Sequence, residues 1–210
     1  MVLAGLLKPK KGSVKISGID VRKIKKLTKK VGFLFQNPDH QLFCDTVESE
    51  IAYGLDNGKS KAVKKILKDM NLKKFGDKHP HTLSRGERQR VAIASILILQ
   101  PDILILDEPT TGLDWAHITQ FLDLILNLNA NGKTIILISH DMRVIAEYCR
   151  RVIVMNEGNI ILDDETRNVF SKLELLKKAQ LKPPPISELT LKSGIDPPLI
   201  KVSELETEVI

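Results

Sequence analysis

Residues 103–109, Ile-Leu-Ile-Leu-Asp-Glu-Pro, constrain this chain more than any other stretch. Four consecutive branched apolar residues, 103–106, read as a strand buried on both faces, the pattern of a parallel sheet. Parallel strands need crossover connections, usually helical, so the expected class is α/β. The strand closes on Asp107 and Glu108. Open α/β sheets bind their ligands at strand C-termini, and paired acids there suit Mg²⁺ beside phosphate, with the second acid free to polarise a water. An isolated Asp-Glu pair is more often a helix cap or a solvated turn, so the flanking sequence has to decide.

Upstream, Leu83-Ser84-Arg85-Gly86-Glu87 stands at a helix start, 91–99 is apolar and helical, and Gln100-Pro101-Asp102 ends that helix. A hydroxyl and a glycine at a helix N-terminus favour close approach of an anionic phosphate. Downstream lie Thr110-Thr111-Gly112-Leu113-Asp114, an amphipathic helix over 118–128, a turn at Asn131-Gly132 and a second buried strand, 134–138, ending in Ser139-His140-Asp141. A third apolar strand, 31–35, runs into Gln36-Asn37-Pro38, where a glutamine can reach a metal or an attacking water.

Taken together, 83–114 resembles the signature, Walker B and D-loop block of ATP-binding cassette ATPases. VGFLFQNPDHQLF resembles their Q-loop, and its extension through Asp39, Gln41, Leu42 and Phe43 is similar to the energy-coupling factor and cobalt-importer branch. The signature departs from the common LSGGQ at Arg85 and Glu87. The resemblance implies a P-loop NTPase-like (RecA-like) cassette core with a helical subdomain, ATP and Mg²⁺ as cofactors, and a role for each matching residue. Glu108 is the implied general base, with His140 and Gln36 the other catalytic positions. Asp107 and Gln36 are the metal ligands. Ser84, Arg85, Gly86, Glu87 and Asp114 close over a nucleotide held by a second ATP-binding subunit, in a homo- or heterodimer.

The rest of the chain fits around this block. Residues 13–21 alternate around Gly18 like a hairpin, and 21–30 form a lysine-rich, solvated helical stretch without interleaved aromatics, which leaves nucleic acid out of the partners. Asp45 or Thr46 caps a helix towards Tyr53, with Glu48 and Glu50 near its positive end, and 60–70 places Val63, Ile66, Leu67 and Met70 on one face. The expected layout is an ATPase domain over 1–182 with a helical subdomain at about 45–99, then a C-terminal extension, 183–210, opened by Pro183-Pro184-Pro185. In the family such an extension pairs nucleotide-binding subunits; a disordered acidic end is the other reading. His79-Pro80-His81 has metal spacing but no third ligand nearby.

The 210 residues carry a net charge of +6 and two distant cysteines, which reads as a reduced compartment without a disulfide framework. No apolar run reaches the roughly 18 residues that span a bilayer. Membrane work would pass through integral membrane transporter subunits, with this chain peripheral on the cytoplasmic face. Such subunits would meet Gln36 and the helix after Thr46.

One family element has no match here. GxxxxGK[ST], whose backbone N–H groups cradle phosphates, is absent; Gly58-Lys59-Ser60 and Gly132-Lys133-Thr134 lack the earlier glycine. By resemblance Met1 falls inside the helix after that loop, so the expectation is a cassette truncated at its N-terminus. Two functions follow: an ATP-hydrolysing subunit of an energy-coupling factor type importer for cobalt, nickel or a vitamin, or a non-hydrolysing subunit contributing only its signature to a composite ATP site.

Overall fold

The computed structural model describes residues 1–24, 27–55 and 60–205, and the chain divides into two compact units, Met1–Ile138 and Ser139–Ile210. Gly58 and Lys59 of the partial glycine motif, Lys25 and Lys26 of the basic stretch, and the end of the tail beyond Leu205 lie outside the described residues.

The first unit opens with a turn, not the helix expected at Met1: Gly5 N–H donates to Val2 O at 3.0 Å, with Gly5 at φ +69°. That left-handed backbone ends any helical run, and Pro9 follows closely. A hairpin, β1 (Lys15–Ile16) and β2 (Ile19–Asp20), turns through Ser17 and Gly18, both at positive φ as a two-residue turn requires. The basic stretch contributes two 3₁₀ turns, Val21–Lys23 and Leu27–Lys29.

Strand β3 (Val31–Leu34) then enters the sheet. Three helices follow: α1 (Val47–Ala52), α2 (Ser60–Asp69) and α3 (Arg85–Leu97). Thr46 caps α1 by exchanging hydrogen bonds with Ser49. On α2 the predicted face is the buried one: Val63 and Leu67 are buried, as is Met70 just past its end. Strand β4 (Ile103–Asp107), helix α4 (Trp115–Ala130) and strand β5 (Thr134–Ile138) complete a βαβ unit. The sheet is parallel, in the order β3-β4-β5, with Val31 opposite Ile103 and Ile103 opposite Thr134.

Gly32 shows why the α3 helix can lie against this sheet. A Cβ at Gly32 would overlap Ile96 Cγ2 of α3, stand 2.9 Å from Leu104 Cδ2 and 3.1 Å from Pro101 Cγ. Without that side chain the helix and strand approach closely. Strand β4 is buried along Leu104, Ile105 and Leu106, as its composition demands. Strand β5 is not the fully buried strand its sequence predicts: Ile136 is 37% and Ile138 44% exposed. Thr134, Ile136 and Ile138 are exposed while Ile135 and Leu137 are half-buried, the alternation of a strand with one face uncovered; among the described residues β5 also ends the three-stranded sheet.

In the second unit α5 (Met142–Tyr148) precedes an antiparallel hairpin, β6 (Arg151–Asn156) and β7 (Asn159–Glu165), closed by Glu157 and Gly158 at positive φ. Residues 165–176, whose sequence reads as one helix, form two, α6 (Thr166–Ser171) and α7 (Leu173–Lys178), broken at Lys172. Ile145, Val154, Val169, Phe170 and Leu176 form this unit's core. After the prolines, α8 (Pro185–Lys192) buries Ile186, Ser187 and Thr190. The tail sequence Ser203-x-x-Glu206 has the pattern of a capping box, but Glu206 lies outside the described residues. Glu204 fills a similar role, accepting from Ile200 N–H at 2.9 Å and Lys201 N–H at 3.3 Å.

Candidate functional site

The parallel register sets the first group of residues. Leu34 lies opposite Leu106, so Gln36 and Glu108 each follow two residues after a paired position on adjacent strands, at the same end of the sheet. Neighbouring strands run about 4.8 Å apart, so the two backbones leave the sheet side by side. Asp107 is the last residue of β4 and pairs with Ile138. Glu108 holds a backbone that its residue type rarely adopts, φ +46°, with its N–H donating to Ile138 O at 2.9 Å and its Oε2 accepting from Thr111 Oγ1 at 3.4 Å. A non-glycine residue in that region costs about 1–3 kcal/mol, and such strain concentrates at functional positions. Asp107, Glu108 and Gln36 offer only oxygen acceptors and an amide, the donor set a hard cation such as Mg²⁺ takes when substrate phosphates supply further ligands. Among the described residues no group of three or more His, Cys, Asp or Glu side chains gathers as a metal site, the His79 and His81 pair included.

The second group forms around the start of α3. Ser84 is its N-cap, and Glu87 reaches back: Ser84 N–H and Ser84 Oγ–H both donate to Glu87 Oε2 at 2.8 Å. Burial raises the Glu87 pKa, but the Ser84 hydrogen bonds and the charges of Arg90 and Lys74 outweigh it, and the net shift is downward. The signature therefore carries a carboxylate where LSGGQ has an amide. Arg85 turns onto the loop after β4: a Cβ on Gly112, itself at φ +76°, would stand 2.9 Å from Arg85 Cζ and Nε. Gly86 faces His117 and Leu113, its added Cβ 3.4 Å from His117 Cδ2. Asp114 caps α4, accepting from His117 N–H at 2.9 Å and lying 2.8 Å from His117 Nδ1. Those contacts hold the Asp114 pKa below its ordinary value. Signature and D-loop residues thus meet through Arg85 on Gly112 and Gly86 on Leu113 and His117. His117 was not singled out from the sequence; the Asp-x-x-His spacing at a helix start was its signal.

His140 belongs to the second unit, two residues after Ile138, and is exposed. It precedes Asp141, whose Oδ1 caps α5 by accepting from Arg143 and Val144 N–H.

Two clefts, about 490 and 510 Å³, lie in the first unit. The larger is lined in part by Gly86, Gln89, Leu113, His117 and Phe121; neither is lined by Asp107 or Glu108.

The face after Gln36 carries exposed aromatics. Phe43 and Tyr53, 64% and 70% exposed, pack edge to face with ring centroids 4.7 Å apart. Glu50 differs from its expected place on that surface. It is 3% exposed, and its Oε2 accepts from Phe43 N–H at 2.8 Å and Cys44 N–H at 2.7 Å. A buried carboxylate with two backbone donors shapes the loop from within, while Glu48 is half-buried.

The ABC transporter family model matches residues 1–111. A putative ABC transporter ATP-binding protein of Methanosarcina acetivorans is 48% identical over 217 residues, covering 98% of this chain and 35% of that protein. The energy-coupling factor transporter ATP-binding protein EcfA of Methanocaldococcus jannaschii is 40% identical over 195 residues, covering 88% of this chain and 70% of that one. Among solved structures, cbiO1 from Clostridium perfringens, described as part of the ABC transporter complex cbiONQ, superposes with a TM-score of 0.73 at 35% identity, over 90% of this chain and 80% of that one. The chain spans about a third of the length of the first curated relatives it matches.

Proposed function

This chain belongs to the ABC transporter family, among the ATP-binding subunits of energy-coupling factor type, and from that premise we propose that it binds and hydrolyses ATP to power an importer for a transition metal ion or a vitamin. The observation that carries the reading is Glu108: a strained acid at the C-terminal end of a parallel strand, beside Asp107 and in step with Gln36 on the neighbouring strand. Asp107 and Gln36 would hold Mg²⁺, which when bound neutralises phosphate charge. Glu108 accepts a proton from the attacking water; for His140 the contact to the γ-phosphate rests on its match to the family's switch histidine in sequence alone. Ser84, Arg85, Gly86, Glu87 and Asp114 close over nucleotide on a second ATP-binding subunit. The helix N-terminus at Ser84 and the Arg85 guanidinium favour that anion, whereas the Glu87 carboxylate opposes it and so makes closure depend on Arg85.

The membrane partner follows from the importer reading and from the exposed Phe43–Tyr53 pair. No helix among the described residues is long and apolar enough to cross a membrane. A coupling segment of an integral subunit would cover these rings at the cytoplasmic face. Solvent-exposed aromatic pairs of this size favour a partner surface.

A second reading is that the chain adds only its Ser84–Glu87 signature to a composite site whose phosphate loop another subunit supplies. One experiment separates the two. ATP binding and ATPase activity are measured for the complex of this chain with its cassette partner, as wild type, Glu108→Gln and Ser84→Arg. Hydrolysis lost in Glu108→Gln with ATP binding kept supports the enzyme. Hydrolysis unaffected by Glu108→Gln but lost in Ser84→Arg supports the composite-site subunit. Activity insensitive to both removes this chain from the chemistry.

A further inference from the structure

The stretch after Gln36 grips the signature helix at two points. Pro38–His40 forms a 3₁₀ turn, capped by Asn37, whose Oδ1 accepts from Asp39 N–H at 3.1 Å. Asp39 Oδ1 stands 2.8 Å from Arg88 Nε on α3. Both atoms are buried, and the N–H is not aimed at the oxygen, so this is a charge contact rather than a directed hydrogen bond. One helical turn further along the same face, Gln41 Nε2 donates to Ala92 O at 3.2 Å.

Arg88 has a second contact. Its Nη1 donates to Leu83 O at 2.6 Å. That carbonyl belongs to the Leu83–Ser84 peptide, and the N–H of the same peptide donates to Glu87 Oε2 at 2.8 Å. The peptide that orients Ser84 is thus held at both ends, by Arg88 on its oxygen and by Glu87 on its nitrogen. A guanidinium can serve an acid and a carbonyl at once through its fork; an ammonium on a flexible stem cannot hold both in fixed geometry.

From these contacts we infer that Arg88 is a positioning residue which transmits displacement of the 36–41 stretch, through Asp39, to the Leu83–Ser84 peptide and so to the signature hydroxyl. The functional meaning rests on the ATPase reading above. It gives the importer a path by which a membrane subunit pressing on the Gln36 side changes how Ser84 is presented to nucleotide. The path runs within the first unit and needs no nucleotide to exist.

Amide hydrogen exchange on the full 210-residue chain without nucleotide tests it, at Ser84 and Glu87, with amides of β4 as the control for folding. In Asp39→Asn, which keeps shape and removes charge, exchange at Ser84 and Glu87 accelerates about three- to fivefold, the range a partly exposed ion pair supports. In the Arg88→Gln background the same Asp39→Asn change adds nothing, because the connector is gone. Should Arg88→Gln fail to fold, Arg88→Lys replaces it, and the effect of Asp39→Asn is again lost. Exchange within twofold of wild type in Asp39→Asn, or an undiminished Asp39 effect without Arg88, overturns the inference. In the assembled complex Asp39→Asn lowers kcat with little change in the KM for MgATP. A complex without any ATPase activity counts against the proposed function, and the exchange cycle alone then decides the link.

Discussion

Replacing Glu50 by alanine should cost this chain more than any change on the neighbouring surface. Its Oε2 is the shared acceptor for Phe43 and Cys44 N–H, at 2.8 and 2.7 Å, from a side chain that is almost entirely buried. A hydrogen bond to a charged group contributes about 1.5–3 kcal/mol, and both donors sit in a partly exposed loop where water can replace part of the loss. Taking the low end for each gives about 3 kcal/mol, set against a typical net stability of about 5–15 kcal/mol. Glu50→Gln keeps a carbonyl oxygen in the same place without the charge, so about half that loss is expected. Urea unfolding followed by far-UV circular dichroism reads the difference: with a slope of about 2 kcal/mol per molar, Glu50→Ala moves the midpoint down by about 1.5 M with the slope unchanged. Phe43→Ala is the contrast. It removes an exposed ring from the same loop, so it should leave the midpoint nearly unmoved and weaken co-purification with the membrane subunit. A Glu50→Ala midpoint within about 0.3 M of wild type would refute the claim that this carboxylate holds the loop.

Gly32→Ala should destabilise by about 1–3 kcal/mol, since the new methyl meets Ile96 and Leu104 at once, and scanning calorimetry should show melting lowered by about 3–10 °C. Cys149 is pushed up to about 11 by burial, so at pH 8 only about one thiolate in a thousand is present and iodoacetamide should label it far more slowly than a free thiol. Because its folded pKa lies above the unfolded value, the stability it contributes is complete below about pH 9 and falls as pH rises towards 11; urea midpoints at pH 8 and pH 10.5 check the sign.

Much of this architecture was legible before any coordinates. The run Ile-Leu-Ile-Leu before Asp107 could only be a buried parallel strand, and Gln100-Pro101 marked the end of the helix before it. Turn chemistry marks the first hairpin, because Gly18 supplies the positive φ that a two-residue turn needs, and Asn156-Glu157-Gly158 carries the same signal for the second. What escaped was tertiary. Glu50 looked like a helix-dipole acid, and nothing local says that its carboxylate turns inward to backbone donors six and seven residues earlier. The backbone strain at Glu108 is equally invisible, since the sequence gives an acid after a strand but not the sharp exit that forces φ to +46°. Arg88 carries no local signal, because arginines on a helix are ordinarily solvated and its partners, Asp39 and the Leu83 carbonyl, come from different segments. Strand β5 misled in the opposite direction: its composition speaks for burial on both faces, whereas exposure depends on what covers each face of the sheet.

That last strand has a consequence for how the polypeptide behaves outside its native assembly. Thr134–Ile138 contains no charge, glycine or proline, and alternate residues are turned to solvent. Such a segment is a template for cross-β stacking, whose growth rises steeply with protein concentration. The one flanking lysine, Lys133, directs its ammonium towards Gln100 O at 3.3 Å instead of standing beside the strand as a repelling guard. Loss of soluble protein in a concentrated preparation would therefore begin at this seam, and a single lysine at the exposed Ile136 should slow it more than any charge added to α2, whose outer face is already rich in lysine.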